Sequence, residues 1–90
     1  MRYVTMTAIP PDEVLARARH FFAHNTLMEP VEEAEDRLVF EGSIGRAVLR
    51  AEREHGHTNV YVDTDRVVGL DVTDIARRFL YTLRIDGQKV

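Results

Sequence analysis

"LDVTDIARRFLYTL", residues 70–83, decides how this chain is put together. Val72, Ile75, Ala76, Phe79 and Leu83 recur at three- and four-residue intervals. At about 100° per residue that spacing lines them up on one side of an α-helix. Asp74, Arg77, Arg78 and Tyr81 fall on the other side, with Asp74 and Arg78 spaced as a helix-surface ion pair. Asp71 is an acceptor suited to cap the first turn, and Leu70 and Ile75 bracket it as a hydrophobic staple. A helix with so continuous an apolar stripe needs a surface on which to bury it, and the rest of the chain must supply one.

Working back from this helix, "RAVLRAERE" (46–54) alternates Ala47, Leu49 and Ala51 against Arg46, Val48, Arg50 and Glu52, so one strand face is dry and the other charged. "HGHTN" (55–59) turns the chain, with Gly56 supplying the positive φ of a tight hairpin. "VYVDT" (60–64) returns it, Val60 and Val62 on one side and Tyr61 and Asp63 on the other. Upstream, residues 37–41 read as a strand, and "GSIG" (42–45) is a turn by its two glycines. A further strand is expected near residues 27–33, where Pro30 confines it to an edge or a bulge. A short helix around Glu32 to Asp36 is the competing reading.

The N-terminal stretch "RYVTMTAI" (2–9) alternates and carries β-branched and aromatic residues, as a strand does. Pro10-Pro11 ends it, and Pro11, Asp12 and Glu13 open a helix. Val14, Leu15, Ala18, Phe21 and Phe22 then share one arc to about residue 24, and Asn25 is a plausible stop. "RIDGQKV" (84–90) should fray.

The order β-α-β-β-β-β-α implies an α+β fold. Strands joined by short turns pair antiparallel, giving a sheet of four to five strands. One face of that sheet buries its small and branched residues only if both helices pack on it. Ninety residues make one such domain, residues 1–90.

This order, with "PPDEVLARARHFF" after the first strand, "RLVFEG" in the middle and "LDVTDIARRFL" near the end, resembles the helix-grip superfamily. These are the START and polyketide-cyclase-like proteins, in which an antiparallel sheet curls around a long C-terminal helix. It is also similar to the shorter unit of TATA-binding-protein-like domains. The helix-grip resemblance implies a ligand cavity between helix and sheet. With at most five strands this chain is shorter than cavity-bearing members, so a cavity in one copy should be small or absent unless a second copy completes it.

Composition narrows the function classes. The chain is 44% hydrophobic and 30% charged, as folded domains are. A net charge of -3 gives no general attraction to nucleic acid or to an anionic membrane. The absence of cysteine excludes a disulfide framework and a thiolate zinc site and fits a reducing, cytoplasmic setting. No stretch approaches transmembrane length, and the N-terminus lacks the apolar run of a signal peptide.

Motifs that carry chemistry are sparse. His20 and His24 stand at i and i+4, but the zincin pattern needs a glutamate after the first histidine, and Phe21 occupies that place. Both fall on the wet side of the first helix. "EHGHT" (54–58) suits a loop tip, and the aspartates of "DTD" (63–65) lack the offsets of a calcium loop. No cofactor and no metal is expected. Arg46 and Arg50, with Arg2 and Arg37 near them and Tyr61 across the hairpin, suggest a nucleic-acid surface, except that Glu41, Glu52 and Asp63 interleave with them.

The reading that follows is a non-enzymatic binding or protein-interaction module, acting as a homodimer because a short sheet with free edges finds a partner. Any ligand would be small and apolar and held between the long helix and the sheet, with Phe22, Phe40, Leu49, Tyr61 and Phe79 as the candidate contacts. The alternatives are a minimal polyketide-cyclase-like enzyme, which would use Tyr3, Tyr61 or His57, and nucleic-acid binding through the arginine-bearing sheet face.

Overall fold

The computed structural model describes residues 2–43, 45–65 and 72–87. The elements follow the order β1 (Arg2–Thr7), α1 (Pro11–Asn25), β2 (Glu29–Ala34), β3 (Arg37–Gly42), β4 (Gly45–Glu54), β5 (His57–Thr64) and α2 (Val72–Gly87). The five strands form one antiparallel sheet in the order β1-β5-β4-β3-β2. The α+β architecture expected from the helical and alternating patterns is the observed one. The chain closes its sheet by returning β5 alongside β1, so the first and second strands become the two edges.

Alternation assigns the two faces. Thr7, Leu38, Phe40, Ala47, Leu49, Ala51, Thr58, Val60, Val62 and Thr64 are buried and point to the side on which the helices lie. Helix α1 contributes Val14, Leu15, Ala18 and Phe22 to the core, and α2 contributes Ala76, Phe79, Leu80 and Leu83. Burying a large apolar side chain removes about 1.5–3 kcal/mol of exposed-surface cost, so these residues dominate the stability of so short a chain. Three rings sit at the centre. Phe22 stacks on Phe40 at 4.3 Å between centroids, and Phe79 meets Phe22 edge-on at 6.1 Å. Phe21 closes the group against Phe79 at 5.5 Å.

Several boundaries differ from expectation for local reasons. β1 stops at Thr7, whose hydroxyl donates to the Leu83 carbonyl (3.2 Å) and accepts from the Ile9 amide (3.3 Å). The β4–β5 turn is only His55-Gly56, and both residues have positive φ, 50° and 86°. That is the signature of a type I′ hairpin, and it lets β5 begin at His57, which the sequence placed in the turn. The strand expected near 27–33 is present and no helix competes with it, but it runs over Glu29–Ala34; it is the edge strand β2, with its pairing shifted between Pro30 and Glu32. Helix α2 runs through Gly87, into the segment expected to fray. The cap and staple at Leu70 and Asp71 lie outside the described residues.

The uncovered face carries Arg2, Val4 and Met6 of β1, Tyr61 and Asp63 of β5, Arg46, Val48, Arg50 and Glu52 of β4, and Arg37, Val39 and Glu41 of β3. It is not uniformly wet. Val39 is fully buried there, paired with Glu32 on one side and Val48 on the other. Long charged side chains can lay their methylene stems over such a residue while their heads stay in water. No helix among the described residues is long and apolar enough to cross a membrane.

Candidate functional site

The uncovered sheet face is a ladder of matched charges. Arg2 meets Asp63 with both ends of its guanidinium, Nε to Oδ1 at 2.7 Å and Nη2 to Oδ2 at 3.1 Å. Arg37 faces Glu32 at 3.5 Å, Arg46 faces Glu41 at 3.3 Å and Arg50 faces Glu52 at 3.3 Å. The Arg2 guanidinium holds the Asp63 carboxyl below the ordinary aspartate range, chiefly by donating two hydrogen bonds to its ionised form. Tyr61 lies between two of these cations, 5.1 Å from Arg50 and 5.8 Å from Arg2, over its ring. Each described arginine on this face is therefore already matched to a carboxylate, and phosphates would have to displace one from the other.

The five candidate contact residues divide between the two faces. Phe22 packs directly on Phe40 and on Phe79, and Leu49 is fully buried in the same layer. Centroids 4.3 Å apart are at ring–ring contact, so a ligand between Phe22 and Phe40 would have to part them. Tyr61 is on the opposite side of the sheet and cannot share a wall with them. The candidate enzyme residues are also dispersed: Tyr3 lies on the helix side of β1, Tyr61 on the uncovered face and His57 beside the β4–β5 turn.

The histidines of α1 are both exposed and lie side by side, their rings 3.9 Å apart, with His24 Nδ1 2.9 Å from the His20 carbonyl oxygen. Among the described residues no group of three or more His, Cys, Asp or Glu side chains is placed to hold a metal ion.

The feature that periodicity did not reveal is at the β1 edge. No described residue pairs with the outer side of β1. On its uncovered-face side Val4 and Met6 are more than half exposed, at 54% and 62%. On its other side an open groove of about 760 Å³ runs between β1 and α2, with Tyr3 and Thr5 on the strand and Arg77, Leu80, Tyr81 and Arg84 on the helix. Arg78 borders the same groove and is matched to Asp74 at 3.5 Å. Among the described residues, Arg77 and Arg84 have no carboxylate within ion-pair distance.

The opposite edge is built differently. β2 carries Pro30, which lacks an amide donor, a register shift beside it, and Glu29, Glu32 and Glu33. Glu35 and Asp36 extend that acidic run into the following turn. Proline, irregularity and charge are the devices by which sheets guard an edge against further pairing. β1 has no proline and a regular register over all six residues.

No family model, no curated protein and no solved structure matches this chain.

Proposed function

We propose that this chain is a non-enzymatic protein-interaction module that works by strand addition at β1, and that it pairs with a second copy of itself when no other strand is offered. One observation carries the reading: of the two sheet edges, β2 is guarded by Pro30, a register shift and glutamates, while β1 is regular, unguarded and flanked by exposed Val4 and Met6. An incoming strand would satisfy the outward-facing amides and carbonyls of β1 and cover those two side chains. Antiparallel pairing about a twofold axis at Thr5 would set Val4 of one copy opposite Met6 of the other. The element order resembling helix-grip and TATA-binding-protein-like domains is compatible with this use and does not define the partner.

Sedimentation across a concentration series tests self-pairing. The wild-type chain should approach twice 10.4 kDa as concentration rises, and Val4→Lys/Met6→Lys should stay at 10.4 kDa. A wild-type chain that remains a monomer at the highest concentration would remove self-pairing from the proposal.

A further inference from the structure

The β1–α2 groove holds two arginines that pair with no carboxylate among the described residues. Seven described arginines are matched to carboxylates, at Arg2, Arg17, Arg19, Arg37, Arg46, Arg50 and Arg78. Of the three other described arginines, Arg53 sits among Asp12, Glu35 and Asp36 at another part of the surface, while Arg77 and Arg84 both line this groove. A protein with net charge -3 has thus placed two arginines, without a carboxylate partner among the described residues, beside the regular β1 edge. Close to them are Tyr3 and Tyr81, which offer ring surface and hydroxyl groups.

We infer that the β1 edge, with Arg77 and Arg84 of α2 above it, binds an extended acidic peptide segment of another protein, in which acidic and apolar residues alternate. The alternation follows from strand geometry. Successive side chains of an added strand point to opposite faces of the sheet. One set would enter the groove, where Arg77 and Arg84 select carboxylates. The other set would lie beside Val4 and Met6 on the uncovered face, where apolar residues gain most. Pairing of two β1 strands about Thr5 would instead bring the same arginines of two copies toward a common groove, so like charges oppose the homodimer and favour exchange for an acidic strand.

This inference rests on strand addition at β1, and the test separates the two. A fluorescein-labelled octapeptide of alternating valine and glutamate, capped at both ends, is titrated with the full chain and followed by polarisation. Three companion peptides replace glutamate by glutamine, replace it by lysine, or keep the composition but gather the valines and glutamates into two blocks. The alternating acidic peptide should bind saturably, and its affinity should fall with added salt as exposed ion pairs are screened. The glutamine and block peptides should each bind about tenfold more weakly. Arg77→Glu/Arg84→Glu, at sites on the exposed side of α2, should weaken the acidic peptide about tenfold and reverse the preference in favour of the lysine peptide. Val4→Lys/Met6→Lys should weaken every peptide.

Equal binding of the glutamate and glutamine peptides would overturn the acidic specificity and leave strand addition standing. Failure of all four peptides to bind would overturn both. Binding that ignores Val4→Lys/Met6→Lys would place the peptide elsewhere and overturn the inference. Circular dichroism of each variant confirms that the fold is retained before its affinity is compared.

Discussion

Phe22 of α1 lies flat on Phe40 of β3, their planes only 5° apart and their centroids 4.3 Å apart. Both are fully buried, and the stack is one of the contacts that join the first helix to the sheet. Phe22→Ala would leave a void that the neighbouring Phe79 and Phe21 rings cannot fill without moving. It should cost about 3–5 kcal/mol, a large share of the roughly 5–15 kcal/mol that holds a small domain folded. Urea denaturation measures it. A loss under 1 kcal/mol would mean the stack contributes little beyond local contact.

Thr7 and Thr58 are cross-strand partners, both buried, with opposite hydrogen-bonding status. The Thr7 hydroxyl joins β1 to the Leu83 carbonyl, whereas the Thr58 hydroxyl has no partner among the described residues. Removing a satisfied hydrogen bond costs about 1 kcal/mol, and removing a buried, unsatisfied hydroxyl relieves a desolvation penalty of similar size. Thr7→Val should therefore lower the midpoint of thermal unfolding while Thr58→Val leaves it unchanged or raises it. Equal destabilisation by the two substitutions would contradict this assignment.

His55 and Gly56 form the two-residue turn between β4 and β5, both with positive φ. Asparagine and glycine reach that region more readily than histidine does. His55→Asn should stabilise the chain by about 0.5 kcal/mol, and Gly56→Ala should destabilise it by about 1 kcal/mol. Thermal melts of the two variants should move in opposite directions.

The Arg2–Asp63 pair should make stability depend on pH in one direction. The folded carboxyl titrates below its unfolded value, so its contribution is present above the ordinary aspartate pKa of about 3.9 and is lost as pH falls through the folded value. The difference in melting temperature between wild type and Asp63→Asn should be constant from neutral pH down to about pH 5 and shrink below about pH 4. Both groups are well exposed to solvent, so the difference should be small and should diminish in high salt.

The elements were legible in the sequence to different degrees. Period and alternation identified the faces of β4 and β5 and the core sides of both helices, because those faces are decided by local burial. Pro30 announced that its strand would be irregular or peripheral, and the strand is both. The extent of β5 was missed because His55, a residue with ordinary φ preferences, adopts the left-handed region and shortens the turn. The β1–α2 groove was not legible at all. It depends on β1 pairing with β5, about sixty residues later, and nothing in "RYVTMTAI" says which neighbour it will have. Candidate contacts chosen by hydrophobicity, such as Phe22 and Phe79, were found in the interior for the same reason that they stood out.

The guarded β2 edge has a consequence for how far any assembly can grow. Two copies joined along their first strands would present to the outside margins in which Pro30, a shifted register and glutamates surround an exposed Val31. Such a ten-stranded ribbon would resist growing into a fibre, because the next pairing would have to form across a missing amide donor and repelling carboxylates.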